Sequence, residues 1–465
     1  MQISLLILLK FTAWFFHQCE IFRILVGSKH SHRGFHIAAF FAVVICCFSQ
    51  NAFSQTDVHL RAETGAFTRL PVEIWPCETR DATTREHAEK IISVLESDLY
   101  LSSLIAPKVV QDTTLLQDDD NMDKVLIPAQ RAIRVAIRTS LKIDGDTAVL
   151  QANLLDLRTR RILGRESITG CERKLRLLVH ALADEIIKIL TGEDGIAKSR
   201  IVFTAVSFKG KELFVVDYDG TNLVQLTRQG SLNLNPAWTH GGRGIIYTSY
   251  INNNPDLHAY EFASGKSAPI VRGDGLYVSP AWSPDGKSIL FVSTRHGNAE
   301  IYAMNVISRH VSRLTHHPAI DSSPSWSPTG RQIVFTSDRL GNPQIFIMGA
   351  EGTDVQRLVV AGEYNDSPVW SPRGDKIAYV SRGSSGFDIF VYDITSETSV
   401  QLTQDQDSNE DPTWAPDGYR IAFTSTRNGS RDIYSMMWDG TVLERLTVKG
   451  TCASPSWSTN VRPES

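Results

Sequence analysis

The chain is predicted to be mainly β, a six-bladed β-propeller preceded by a small α+β domain, and three observations carry that prediction. Tryptophan recurs every 44 residues at Trp238, Trp282, Trp326, Trp370 and Trp414, and once more 43 residues later at Trp457. Each Trp stands in one frame, such as Pro280-Ala-Trp-Ser-Pro-Asp-Gly or Pro324-Ser-Trp-Ser-Pro-Thr-Gly. The 140 or so residues before the first repeat lack the period altogether. A fixed repeat of about 40–45 residues is the mark of propeller blades.

Within a repeat, the Trp strand meets a Pro-x-Gly turn, where Pro fixes φ and Gly supplies a positive one. A β-rich run follows (288–292, 332–336), then an acidic or amide residue opening a third strand: Glu300-Ile-Tyr, Gln344-Ile-Phe, Asp388-Ile-Phe, Asp432-Ile-Tyr. A fourth strand ends on Arg313-Leu-Thr, Gln401-Leu-Thr or Arg445-Leu-Thr. Four short strands make one blade. The first unit, 201–227, lacks a Trp strand, and the tail Pro455-Ser-Trp-Ser458 is a Trp strand with nothing after it. They complete each other, so the predicted ring spans 196–460 and is closed by the C-terminal strand. The recurring Trp is expected to be core between blades. The arginines at 295, 339, 382 and 427 are expected to pair with the acids that open the third strand.

Residues 55–195 read as the α+β domain. Residues 71–75 form a strand, and Thr83-x-x-Glu86 is a capping box before Ala88, Ile91, Ile92, Leu95 and Leu99 on one helix face. Ile143-Asp-Gly-Asp146 signals a hairpin, with a third strand near 162–169. A second helix over 173–190 aligns Leu178, Leu182, Ile186 and Ile189. Thr191-Gly-Glu-Asp-Gly195 reads as a hinge.

Residues 1–54 have the layout of a secretory signal: Lys29, His30, His32 and Arg33, an apolar stretch over 35–47, then Ala52-Phe53-Ser54 before Gln55. The competing reading, a membrane anchor, asks for about 20 apolar residues. Residues 3–16 are also apolar, and one signal needs no second such run, so residues 1–25 are read as a mis-assigned start. N-terminal sequencing of the precursor tests this. Cleavage would remove four basic residues and one acid, leaving a chain more acidic than the full-length net charge of −4. Such a balance argues against nucleic acid as a partner. It would also leave Cys77, Cys171 and Cys452. Cys77 and Cys171 can be a bridge or two free thiols, and both readings stand.

No reaction chemistry is expected. Prolyl-peptidase propellers carry a nucleophile in Gly-x-Ser-x-Gly, whereas Gly383-Ser-Ser-Gly386 has the wrong spacing and only seven residues follow Ser458. There is no phosphate loop. His316-His317 has no spaced third ligand, and Asp217-Tyr-Asp-Gly220 is a turn before it is a calcium loop. Neither a cofactor nor a metal is expected.

Strand alternation places the Pro-x-Gly turns on one face of the ring and the loops entering each Trp strand on the other. The chain enters and leaves on the Pro-x-Gly face, so the small domain is expected to cap it. Non-repeated residues at the open mouth are the candidate partner contacts: Asn233, Asn235, Tyr277, Asp321, Asn365, Asp366, Glu410 and Asp411. Their acidity suits a partner with basic or amide groups.

A signal peptide, a small α+β domain, the junction Leu190-Thr-Gly-x-x-Gly-x-x-x-Ser-Arg-Ile-Val-Phe203 and six Pro-x-Trp-Ser-Pro-type blades together resemble the TolB family over about 57–460. The resemblance implies a non-enzymatic periplasmic scaffold of the Tol–Pal system. It implies binding of the peptidoglycan-associated lipoprotein Pal at the channel mouth, in support of outer-membrane integrity and invagination at division. It also implies contact between the N-terminal tail (Asp57, Val58, His59, Leu60, Arg61) and an inner-membrane Tol protein such as TolA, with no membrane insertion after signal cleavage. The tail matches no family motif closely. The alternative is a periplasmic propeller that binds a small molecule or peptide in its channel.

Overall fold

The computed structural model describes residues 69–79, 84–110, 133–383, 386–404 and 407–458. The expected signal, the tail residues 57–61 and Thr83 of the capping box lie outside them.

The α+β part is one sheet with two helices. Strands β1 (Leu70–Ile74), β3 (Ile105–Val109) and β4 (Val135–Asp144) pair in parallel, with β2 (Glu78–Thr79) also beside β4. Strands β5 (Thr147–Asp156) and β6 (Arg161–Cys171) extend the sheet antiparallel, giving the order β3-β1-β4-β5-β6. Helix α1 (Arg85–Leu101) lies between β1 and β3 in the chain, so the three form a parallel crossover. Helix α2 (Leu175–Thr191) follows β6 and ends on Gly192, whose φ of 78° is the left-handed cap that glycine adopts without strain. Ile91, Leu95 and Leu99 of α1 and Leu182 and Ile186 of α2 are fully buried with Val72, Ile74, Ile137 and Leu150 of the sheet. The parallel strand β3 was not expected: Ile105-Ala-Pro-Lys-Val109 does not alternate, and the Pro within it reads against a strand. Cys77, Cys171 and Cys452 are free thiols, and burial pushes the Cys77 thiol up to about 11.

Six four-stranded sheets make the ring. The first blade joins the inner strand Cys452–Trp457 to β7 (Arg200–Ser207), β8 (Gly210–Asp217) and β9 (Val224–Gln225). The inner strands of the second to sixth blades are Asn233–Trp238, Tyr277–Trp282, Asp321–Trp326, Asn365–Trp370 and Asn409–Trp414. Each inner strand carries a bulge one residue before its Pro, where Asn235, Ser279, Ser323, Ser367, Asp411 and Ser454 take φ values of 48–54°. A bulge at one position in every blade sharpens the twist and re-aims the residues before it.

The tryptophans divide into two groups. Trp238 donates its indole N–H to the Ser456 carbonyl of the first blade at 2.9 Å, and Trp414 to the Val369 carbonyl of the fifth at 3.1 Å. Trp457 donates to Ser199 Oγ at 2.8 Å. These three and Trp370 are buried, but Trp282 and Trp326 are only half-buried, so the expectation of uniform core tryptophans is too broad.

The arginine pairing differs from expectation. Arg339 bonds Asp321, the first residue of its own inner strand, at 3.0 Å, and Arg427 bonds Asn409 Oδ1 at 3.0 Å. The acids opening the third strand pair instead with the fourth: Glu300 with Arg313 (2.7 Å), Asp432 with Arg445, and Asp388 with Gln401 (3.1 Å). The end of the second strand lies beside the starts of both the inner and the third strand, and the third-strand acid is already held by the Arg or Gln of the fourth strand, which leaves the inner-strand residue for the arginine.

Candidate functional site: the open face and the domain junction

The acid that opens the third strand, replaced by Gln344 in the fourth blade, organises the open face. Its carboxylate accepts the hydroxyl of the Leu-Thr threonine: Thr403 to Asp388 at 2.8 Å, Thr447 to Asp432 at 3.0 Å, Thr227 to Glu212 at 2.5 Å. The first residue of the next inner strand then docks on that clamp. Asn233 donates to Glu212 at 2.8 Å, and Asn365 donates to Gln344 at 2.9 Å. Asp321 is fully buried against Arg339. Tyr277 is 3% exposed, donates its hydroxyl to the Asp274 carbonyl and packs near Phe291.

Four of the eight candidate residues, Asn233, Tyr277, Asp321 and Asn365, are therefore buried blade-to-blade connectors, a correction to the expectation that they face a partner. They vary between repeats because each meets a different partner: Glu212, the Asp274 carbonyl, Arg339 and Gln344. The other four stay accessible. Asn235 is exposed at the bulge of the second blade. Asp366, Glu410 and Asp411 are half-buried on the neighbouring inner strands of the fifth and sixth blades. Asp366 accepts from Thr336 at 2.8 Å and Tyr364 at 3.3 Å. Glu410 is paired with Arg431. Asp411 accepts from Thr424 and from the Ser454 amide of the first blade, and burial holds its carboxyl above the usual range.

The opposite face carries the α+β part, held off-centre over the first, fifth and sixth blades. Asp98, at the end of α1, accepts from Tyr218 at 2.6 Å and bonds His180 Nδ1 at 2.7 Å; all three are at most 2% exposed. Burial alone would push the His180 imidazolium down, but the hydrogen bond and charge of Asp98 outweigh it and raise its pKa. Burial raises Asp98 as well, so the pair holds a proton in preference to losing it. Arg176 is paired with Asp219. Arg420, 1% exposed, reaches from the sixth blade to Ser435 Oγ (2.8 Å), the Val442 carbonyl (3.2 Å) and Ser103 Oγ (3.5 Å) just after α1. The apolar core runs without a break from both helices into Ile201, Phe203, Ile433, Leu446 and Trp457.

The expected hinge is pinned at several points. Glu193 bonds Arg373 and Tyr419 of the ring, Asp184 accepts the Ala197 amide at 2.8 Å, and a Cβ on Gly195 would lie 2.2 Å from Asp184 Oδ1. Asp98, His180 and Asp219 bring ligand atoms within 4.8 Å of one another. Arg176 already neutralises Asp219, and Tyr218 and His180 occupy Asp98, so the group is a hydrogen-bonded lock and not a cation cradle. The sequence marked only the Asp217-Tyr-Asp-Gly220 turn and not the group, because Asp98 lies 82 positions from His180 and 120 from Tyr218.

Burial pushes the Asp417 carboxyl, in a Pro-x-Gly turn near this junction, from 3.8 up to about 7. The folded chain thus keeps a proton that the unfolded chain releases at low pH. The stabilisation is full below about pH 4 and lost as pH rises to about 7. Thermal melts across this range should show Asp417→Asn equal to the native chain at the acid end and more stable at pH 7 and above. A native-like pH slope in the variant would contradict the assignment.

The family profile described as the TolB beta propeller domain matches residues 187–461. The chain belongs to the TolB β-propeller family. Among curated TolB relatives, the Tol-Pal system protein TolB of Geobacter sulfurreducens is 41% identical over 113 residues, covering 24% of this chain and 26% of that one. TolB of Roseobacter denitrificans is 31% identical over 246 residues, covering 50% and 54%. The chain spans between about a quarter and a half of the length of the curated TolB relatives it matches. The crystal structure of TolB from Acinetobacter baumannii superposes with a TM-score of 0.73 at 26% identity, covering 84% of this chain and 97% of that one. That match extends beyond the repeats to the α+β part, so the TolB likeness concerns the domain order as well as the ring. Among the described residues, no helix is long and apolar enough to cross a membrane.

Proposed function

We propose that the chain is a non-enzymatic periplasmic scaffold of the Tol–Pal system. In this reading the propeller binds a Pal-like lipoprotein at the open channel mouth. The N-terminal tail contacts a TolA-like inner-membrane protein, and the assembly supports outer-membrane integrity and invagination during division. The observation that carries the reading is the match over both parts to a solved TolB, joined to a channel mouth where Asp366, Glu410 and Asp411 stay accessible. Asp366, Glu410 and Asp411 would meet basic or amide groups of the lipoprotein, with Asn235 across the mouth. Asn233, Tyr277, Asp321 and Asn365 would support that surface from beneath.

The test is titration of the purified chain with the soluble domain of a Pal-like lipoprotein from the same cell. The combined change Asp366→Asn and Glu410→Gln should weaken binding about tenfold, equivalent to about 1.4 kcal/mol. Full affinity in that variant would remove the mouth from the reading, and no binding by the native chain would remove the lipoprotein. Deleting residues 57–61 should leave lipoprotein binding intact and abolish capture of a TolA-like domain.

A further inference from the structure

The first blade presents a second surface on the open face, away from the inner-strand acids. Four segments meet there: 206–211 between β7 and β8, 228–232 after β9, 250–253 in the second blade, and 448–451 before the closing strand. Their contact is direct. Lys211 and Leu232 form a β-bridge, the Tyr250 amide bonds the Leu232 carbonyl at 3.0 Å, and the Val206 amide bonds Thr451 Oγ1 at 3.2 Å. A Cβ on Gly210 would stand 2.2 Å from the Ser231 carbonyl oxygen, so only glycine lets the first two segments approach so closely.

Two features set this surface apart. Its apolar side chains point into solvent: Phe208 is 97% exposed and Val448 82%, with Val206, Leu232 and Ile251 also exposed. Its charge is of one sign. The four segments contain Lys209, Lys211, Arg228 and Lys449 and no acid, and none of these cations forms an ion pair with a carboxylate among the described residues. Lys449 instead lies 4.3 Å above the Phe214 ring. In a chain of net charge −4, an exposed apolar patch whose segments carry cations and no acid has the composition expected of a surface that meets an acidic partner.

We propose that this patch docks an acidic, apolar segment of a protein partner, whose carboxylates meet Lys209, Lys211, Arg228 and Lys449 while its apolar side chains cover Phe208 and Val448. Charge complementarity selects the acidic partner and sets its approach. A solvent-facing aromatic is the kind of residue that anchors such a contact once covered. Beside Phe208 lies a concavity lined by Gly210, Gly230, Tyr250 and Asn253, which offers a place for one side chain of the segment. A peptide can cover this sector alone. A flat anionic bilayer would also bring Glu363 and Asp407, exposed on loops of the same face, against its headgroups. The inference does not depend on what occupies the channel mouth.

The probe is a fluorescent peptide in which Glu alternates with Leu and Phe, titrated onto the purified chain, with a Gln-for-Glu peptide as control. The acidic peptide should bind the native chain more tightly than the control, and the difference should shrink with added salt. Phe208→Ser, and separately Lys209→Glu with Arg228→Glu, should each weaken binding about tenfold or more. All three positions are exposed, and an unchanged melting temperature would show that the variants fold. The proposal is overturned if both peptides bind alike or if the folded variants bind as the native chain does. It is also overturned if the patch variants lose sedimentation with phosphatidylglycerol vesicles and not peptide binding, or if they only convert a dimer to a monomer. The Asp366 and Glu410 variants test the mouth separately, so either reading can fail alone.

Discussion

Replacing Trp457 by alanine should lower the unfolding free energy by about 3–5 kcal/mol, the range for a buried tryptophan truncated to alanine. Trp457 is 6% exposed, pairs with Ile201 across the closing ladder and donates its indole N–H to Ser199. It packs in the core that runs from the helices into the first and sixth blades, so one truncation loosens both ring closure and the domain junction. Trp282→Ala should cost clearly less, because that side chain is half-exposed and its indole N–H has no partner among the described residues. Urea unfolding of the two variants measures the contrast. Equal losses would mean that blade position does not decide what a repeated tryptophan contributes.

Asp98→Ala should be nearly as damaging, at about 3–5 kcal/mol, the usual cost of breaking a buried ionic pair from one side. The change leaves His180 and the Tyr218 hydroxyl buried without their shared acceptor. Because the lock joins α1 and α2 to the first blade, proteolysis of the 192–198 linker should accelerate in the variant. A double change to apolar residues, Asp98→Leu with His180→Leu, should recover part of the loss, since a well-packed apolar pair no longer strands a charge. A single variant that unfolds like the native chain would show the lock to be dispensable.

The ring was legible because its information is local and repeated. One Trp, one Pro-x-Gly turn and one Leu-Thr end recur at fixed spacing, and the unpaired Trp strand at 452–457 identified its own partner. What escaped was the use each repeat makes of its polar residues. Asp321 and Asp366 look alike in sequence, as acids early in an inner strand, yet one is fully buried on Arg339 and the other opens toward solvent. The one-residue offset within the strand decides this, because successive side chains point to opposite sides until the bulge. The arginine pairing failed because the third-strand acids, although beside the arginines in the sheet, are already held by Arg313 and Arg445 of the fourth strands. The lock of Asp98, His180 and Tyr218 was illegible because its members are ordinary in their own segments and gain meaning only when helix and blade meet. The Phe208 patch escaped a repeat-based reading, since it is assembled from loop residues of the first and second blades that no other repeat shares.

The closing strand also imposes an order on biosynthesis. Strand β7 emerges from the ribosome about 250 residues before the strand Cys452–Trp457 that pairs with it, so its inner edge stays bare while the other five blades are made. Joining ends so far apart costs chain entropy that grows only logarithmically with length, so the delay is one of timing more than of thermodynamics. Contacts of such long range slow folding and prolong exposure to wrong pairings. A nascent chain of this design therefore gains from a chaperone, or from export before folding, until its last strand arrives.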